Sequence, residues 1–243
     1  MSGFRDIHAH FVYGLDDGAQ TRQDMEAMLD AAHADGIASL FATPHVTPGI
    51  RPFDDALYTQ RLEEARAYCA SKGYGITLHR GAEIMYTPAL KPYALEHRLP
   101  TLGDTRYALM EFSPGIAYDD IINAVSLMER GGYRAVLAHV ERYRCLYRGR
   151  AAQRLKREHD VWFQMNGATV VRGNGFWRNR VIRRWLREGL IDFIATDTHN
   201  RQTRPTNMTA AYDALERLVG RERAERLTGR ADNDFFRDDA GGE

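Results

Sequence analysis

The 243 residues carry equal numbers of acidic and basic side chains (33 each), so no net field draws the chain toward nucleic acid or an anionic membrane. Hydrophobic residues make up 44%, enough for one barrel-sized core, and no apolar run approaches the length of a membrane span. Two cysteines, Cys69 and Cys145, exclude a disulfide framework and a thiolate metal cluster.

The first expected strand begins at residues 5–7 and carries Asp6-Ile7-His8-Ala9-His10. Side chains two apart on a strand face the same way, so His8 and His10 converge on one point, as two imidazole ligands of a metal must. A loop with Gly14 and Gly18 follows, and Thr21-Arg22-Gln23-Asp24 forms a capping box with Asp in place of Glu. The helix it opens aligns Met25, Met28, Leu29 and Ala32 and stops at Gly36. A buried strand at 37–42 runs into Thr43-Pro44-His45, and a helix over 55–71 closes at Lys72-Gly73. Further strands are expected at 76–79, 107–112, 134–138, 161–164 and 192–195, with helices between most of them, including 119–130 and 178–188. The last helix, 208–219, precedes a polar tail, about 221–243, expected to fray.

Seven strand–helix units without a Gly/Ser/Pro-rich linker or a repeat predict one α/β domain over 1–243, with a parallel sheet and right-handed crossovers. The Gly-x-Gly-x-x-Gly of an open dinucleotide-binding sheet is missing after the first strand, which favours closure into a barrel. Barrel enzymes place their chemistry at the carboxyl ends of the strands. Those ends here offer His8 and His10, His45, Glu83, Glu111, His139, and Asp197 with His199, while the sixth strand ends at Asn166-Gly167 without a charged ligand. Singly, Glu83 reads equally well as a surface loop residue and His45 as the cap of a turn. Recurrence at six of seven strand ends points to a metal site. His33, His79, His97 and His159 fall outside the pattern and read as ordinary helix or loop histidines.

Imidazole and carboxylate ligands without sulfur suit manganese, iron or zinc. The ligands outnumber what one tetrahedral ion needs, so two or three ions sharing carboxylates are expected. Such sites clamp the attacking and leaving oxygens of a phosphoryl displacement.

Asp6-Ile7-His8-Ala9-His10, Ala42-Thr43-Pro44-His45, Gly81-Ala82-Glu83-Ile84, Glu111-Phe112, His139-Val140-Glu141-Arg142-Tyr143 and Thr196-Asp197-Thr198-His199-Asn200 occur in the order of the polymerase-and-histidinol-phosphatase (PHP) superfamily. Within it, Gly14-Leu15-Asp16-Asp17-Gly18-Ala19, the His-x-Glu-Arg-Tyr run and Arg204-Pro205 resemble the bacterial manganese-dependent protein-tyrosine phosphatases, commonly encoded with capsule and exopolysaccharide synthesis genes. The resemblance spans about residues 5–220. It implies a distorted (β/α)7 barrel with a trinuclear centre held by His8, His10, His45, Glu83, Glu111, His139, Asp197 and His199. Manganese is the metal it favours, with iron or zinc as alternatives.

The resemblance further implies that Arg142 and Arg204 hold phosphate, with His199 beside them, and that Asp17 orders a loop rather than binding metal. The implied reaction is phosphomonoester hydrolysis by a metal-bridging hydroxide. The implied substrate is a phosphotyrosine protein in the cytoplasm, a tyrosine kinase of polysaccharide synthesis being the candidate partner. Nucleic acid and membrane insertion are not expected, and homo-oligomerisation is left open.

Two departures from the family pattern bear on substrate fit: Val46 stands where a second His is common, and the segment from Asn166 to Gly173 lacks the usual Asn-rich loop. A cysteine-based phosphatase is excluded, because the sixth residue after Cys145 is Ala151 and after Cys69 is Gly75, where Arg is required. A small-molecule phosphatase acting on histidinol phosphate or a nucleotide, and a non-catalytic metal-bound module, are the competing readings.

Overall fold

Each apolar run becomes a strand unit in the computed structural model, which describes residues 3–172 and 175–230. In chain order these are β1 (Phe4–Ala9), α1 (Arg22–Ala34), β2 (Ile37–Ala42), β3 (His45–Val46), α2 (Asp55–Ser71), β4 (Thr77–Arg80), β5 (Glu83–Met85), α3 (Leu90–Leu95) and β6 (Tyr107–Glu111). Then come α4 (Tyr118–Arg130), β7 (Arg134–Leu137), α5 (Ala151–Glu158), β8 (Val161–Asn166), α6 (Gly167–Val171), α7 (Phe176–Arg187), β9 (Phe193–Ala195), α8 (Met208–Val219) and α9 (Arg221–Leu227).

All strand pairs are parallel, in the orders β1-β2-β4 and β3-β5-β6-β7-β8-β9. The expected second and third strands are each broken in two. Pro44, which has no N–H to give a ladder, separates β2 from β3, and Gly81-Ala82 separates β4 from β5. The Tyr58 hydroxyl of α2 repairs both breaks. It lies 2.8 Å from the Ala42 carbonyl and 3.0 Å from that of Gly81, and accepts the Gly81 N–H at 3.1 Å. Nine strands thus make seven units, and His45 and Glu83 stand side by side just beyond the two breaks.

A narrow seam joins β1 to the segment after β9. Asp197 N–H donates to His8 O, His10 N–H donates to Thr198 O, both at 2.9 Å, and Ala9 bridges Thr198 in parallel. Beneath the seam lies buried Asp6, whose carboxylate accepts from the N–H of His8 and from both the N–H and hydroxyl of Thr196. The architecture is the expected α/β fold with parallel sheets, distorted where a bridge replaces a full ladder.

Tyr107 and Leu109 share a face of β6 with Glu111 and pack with Phe41, Leu102, Val136 and Phe193, so the floor under the site is apolar. Ala108 and Met110 face the other way, into the layer covered by the helices, where α4 contributes Ile121, Val125 and Met128. The capping box forms as expected, Thr21 Oγ1 accepting from Asp24 N–H and the Asp24 carboxylate from Thr21 N–H.

The expected tail needs correction. Arg221–Leu227 is helical rather than frayed, because Ala224 and Leu227 are buried and give it an apolar face. The remainder of that tail, 231–243, lies outside the described residues, as does Gly173.

Burial pushes the Asp6 carboxyl up to about 6, against the lowering effect of its Thr196 and His8 hydrogen bonds. A carboxyl that keeps its proton in the fold but loses it near 3.8 when unfolded favours the fold at low pH. That contribution disappears as pH rises through the folded value. In metal-stripped protein, urea unfolding should show wild-type stability falling relative to Asp6→Asn by up to about 3 kcal/mol between about pH 4 and 6. Parallel profiles would refute this.

Candidate metal centre

At the carboxyl ends of the strands the eight expected ligands meet, all but His45 and Glu111 being buried. Glu83, 1% exposed, is the hub and not a surface loop residue. One of its oxygens lies 3.2, 3.3 and 3.1 Å from His8 Nε2, His10 Nε2 and His45 Nδ1, and the other lies 2.8 Å from His139 Nε2. Glu111 approaches His139 Nε2 at 3.3 Å and His45 Nδ1 at 3.7 Å. Asp197 Oδ1 stands 3.5 Å from both His8 Nε2 and His199 Nδ1. His8 and His10 present their Nε2 atoms 3.1 Å apart, as the strand alternation requires.

Two ligands reach the cluster through backbone that side chains seldom adopt. His139 (φ 33°) and Asp197 (φ 54°) lie in the left-handed region just past β7 and β9, a local cost found where a site over-determines its geometry. Gly18 is needed for a different reason: a Cβ there would come within 2.1 Å of the His10 carbonyl.

The two acidic residues of the first loop divide their work differently from the sequence expectation. Asp16 is the ordering residue, accepting from His10 Nδ1–H at 2.7 Å, from His45 N–H at 2.9 Å and from Gly18 N–H at 2.9 Å. Asp17, expected only to order the loop, brings Oδ1 within 3.3 Å of His45 Nε2 and 3.4 Å of His199 Nε2. It therefore stands where a ligand would. Gln164 and Asn166 were not singled out as supports, although their i, i+2 spacing on β8 is the signal that places both inside the ring. Gln164 Oε1 receives His139 N–H at 2.7 Å and lies 3.2 Å from His8 Nδ1, which leaves His8 Nε2 free to ligate. Gln164 then donates to Asn166, and Asn166 to Asp197.

Charge follows this wiring. Burial opposes a proton on His10, yet its bonds to Asp16 and Glu83 hold the ring up at about 10, while the same pairing pulls buried Asp16 down to about 2. Burial and the charge on His10 push His199 down to about 4, so its ring is a neutral lone-pair donor at pH 7. Glu83 and Asp197 are held below the usual carboxylate range, burial notwithstanding, by the surrounding imidazoles and, for Asp197, Arg142.

The donor set fits divalent metal ions. Ligand atoms fall into three groups, each within 4.8 Å: His10, Asp17, His45 and His199; His8, His10 and Asp197; His45, Glu83 and Glu111. Among the described residues, buried His139 Nδ1 and His199 Nε2 have no hydrogen-bond partner, Asp17 Oδ1 standing 3.4 Å from the latter. Nitrogen and oxygen donors without sulfur, sharing residues between groups, suit a multinuclear site.

Arg142 and Arg204 flank the cluster. Each donates through Nη2 to a different oxygen of Asp197, at 2.7 and 2.6 Å, and about a third of each side chain is exposed at the mouth. Arg142 rides on a one-turn 3-10 helix (Val140–Arg142) pinned by buried Glu141, which accepts from Asn166 N–H and Thr169 Oγ1. Arg204 is brought in by a loop that Asn200 Oδ1 closes, accepting from the N–H groups of residues 202, 203 and 204, while Arg204 O accepts from His199 N–H.

The remaining histidines stay away, as expected: His33 stacks on Tyr74, His79 on Phe41, His97 lies near Tyr133, and His159 meets Glu129. Val46 is buried and brings no donor. Burial pushes the thiols of Cys69 and Cys145 up, so neither is poised as a nucleophile.

The chain is similar to known proteins. The chain is 29% identical over 227 residues to the tyrosine-protein phosphatase CpsB of Streptococcus pneumoniae, covering 91% of this chain and 93% of that protein. It is 26% identical over 231 residues to the tyrosine-protein phosphatase YwqE of Bacillus subtilis, covering 93% and 89%. Its fold superposes with a TM-score of 0.82 and 26% identity, over 92% of this chain and 91% of the other, on a chain from the crystal structures of YwqE and CpsB, described as metal-dependent tyrosine phosphatases. Histidinol phosphate phosphatase of Lactococcus lactis, solved with zinc, L-histidinol and phosphate, shares the fold alone, with a TM-score of 0.60 and 13% identity over 91% and 94% of the chains. The family model for capsular polysaccharide synthesis, CpsB/CapC, matches residues 4–237, and the chain belongs to that family.

Proposed function

We propose that the protein is a cytoplasmic, single-domain, metal-dependent protein-tyrosine phosphatase. The observation that carries this reading is the pairing of a dense imidazole–carboxylate cluster with two partly exposed arginines, Arg142 and Arg204, at its mouth. Two or three ions, manganese first, would be held by His8, His10, His45, Glu83, Glu111, His139, Asp197 and His199, with Asp17 as a further ligand. When bound, such ions supply Lewis acidity toward the phosphoryl oxygens and activate water near neutral pH.

The chain's own residues do the rest. Arg142 and Arg204 are each tethered through Nη2 to Asp197, with Nη1 3.8 Å from Glu111 and 3.9 Å from Asp17, respectively, so both guanidinium groups are held at the rim of the cluster. Planar forks there match the equatorial oxygens of a phosphoryl group and strengthen as charge grows on them. Asp16 and Gln164 fix which nitrogen His10 and His8 turn toward the centre. The leaving phenolate has a parent pKa of about 10, so departure needs little acid assistance. The mouth sits at the surface, where a tyrosine phosphate on a protein can reach it.

A bacterial tyrosine kinase of polysaccharide synthesis fits as the protein substrate, given the named activity of the relatives and the family's link to capsule synthesis.

Metal-stripped protein titrated with manganese should release phosphate from a phosphotyrosine peptide, faster than from histidinol phosphate or a nucleotide. His139→Ala should lower kcat/KM by at least about a hundredfold. Silence with every metal on folded, loaded protein would sink the proposal. Arg142→Lys should lose roughly tenfold or more, because an ammonium cannot bond both Asp197 and phosphate in one plane. Undiminished activity in Arg142→Lys and Arg204→Lys together would remove both arginines from the reaction. Asp16→Asn should weaken manganese binding by about 10–100-fold in calorimetry while the fold persists, and an unchanged isotherm would show that Asp16 does not orient His10.

A further inference from the structure

Beside the metal centre, α7 carries Arg178, Arg180, Arg183, Arg184 and Arg187 and no acidic residue. Its inner face buries Ile182, Trp185 and Leu186. At its amino end, Phe176 and Trp177 meet edge-to-face with 75% and 76% of their surface exposed. Two large aromatics exposed together mark an interaction surface more often than chance placement. Trp177, with Pro114, Tyr147 and Val181, walls a groove of about 680 Å³.

The rim of the groove is positive. Arg178 is fixed in place, donating from Nη2 to the Glu141 carbonyl at 2.9 Å and from Nε to the Tyr147 hydroxyl at 3.1 Å. Arg144 is exposed. Among the described residues, neither Arg144 nor Arg178 has a carboxylate within ion-pair distance. Arg142 lines the groove and is the same arginine that bonds Asp197 in the imidazole–carboxylate cluster. Groove and catalytic mouth are therefore continuous.

We propose that this groove is a substrate-specificity subsite. It receives the residues flanking the phosphotyrosine, seating an apolar side chain against Tyr147 and Trp177 and an acidic one against Arg144 and Arg178. This rests on the reading of the protein as a protein-tyrosine phosphatase and adds which polypeptides it selects. The volume exceeds a single side chain and suits a short peptide stretch. Pro114, Tyr147, Trp177 and Val181 give it apolar walls, and among the described residues Arg144 and Arg178 have no carboxylate within ion-pair distance. A small phosphomonoester held at the cluster would leave the whole groove unused.

The test uses manganese-loaded full-length protein and three phosphotyrosine peptides of equal length. One carries Leu and Glu beside the phosphotyrosine, one has Leu replaced by Gly, and one has Glu replaced by Lys. The first should exceed each of the others about tenfold in kcat/KM, mostly through KM. Arg144→Glu should invert the order of the Glu and Lys peptides. Trp177→Ala should erase the advantage of Leu and spare that of Glu. Both replaced side chains are solvent-exposed, and inversion of a preference cannot arise from misfolding.

Equal kcat/KM for the three peptides, with activity intact, overturns the subsite alone. So does a Glu-to-Lys ratio that Arg144→Glu fails to move. If both variants instead split a sedimenting dimer while peptide ratios stand, the groove belongs to a second copy of the chain and the proposal falls. Hydrolysis of histidinol phosphate but of no phosphotyrosine peptide would sink the tyrosine-phosphatase reading and the subsite with it.

Discussion

Carboxylates cannot be gathered out of water without positive charge to match them. Glu83, Glu111, Asp197 and Asp17 converge on a patch of barrel mouth only a few Å across, two of them almost wholly buried. An isolated buried carboxylate costs several kcal/mol. The surrounding structure meets that requirement in layers. Imidazoles face the acids from four strand ends, those of His10 and His139 held to their protons by the carboxylates beside them. Two arginines clasp Asp197 from outside, and the donor set suits divalent cations at the middle. Seen this way, the strand breaks, the left-handed residues and the tight Gly18 loop are the geometric means of bringing so many charges to one place.

Much of this was legible because two simple periodicities coincide. Alternation along β1 fixes His8 and His10 on one side, and the barrel rule places Glu111, His139 and Asp197 at the ends of later strands. The helix α1 announced itself through Thr21 and Asp24, where local chemistry and tertiary position agree. What stayed hidden has no periodicity. Which of Asp16 and Asp17 bonds His10 and which faces His45 and His199 is decided by one turn of loop around Gly18. The breaks before His45 and Glu83 are bridged by a hydroxyl from α2, a contact that neither strand's own pattern announces. The helix α9 is short and charge-rich, so its apolar stripe of Ala224 and Leu227 was too slight to read against the polar tail.

The second layer of the site is as informative as the ligands. A single chain of side chains runs from His8 through Gln164 and Asn166 to Asp197 and on to Arg142. It links the first strand to the segment after the last and the imidazole–carboxylate cluster to the arginine at its mouth. Glu141, one residue before Arg142, ties that arginine to the end of β8. Position at the cluster and position at the mouth are thus set by one connected network, and a change in either is felt by the other.

The seam between β1 and the segment after β9 also governs the order in which the molecule can be made. A ribosome emits His8, His10 and His45 early, but the partners of β1 around Thr196–Thr198 emerge almost two hundred residues later. Until then one edge of the first strand has no ladder, and a nascent chain holds an open arc with only part of its ligand set. Asp6 waits buried-to-be and unbonded to Thr196 through that interval. The full donor constellation therefore cannot assemble until residues 197–199 have been made and the seam beside β1 has formed.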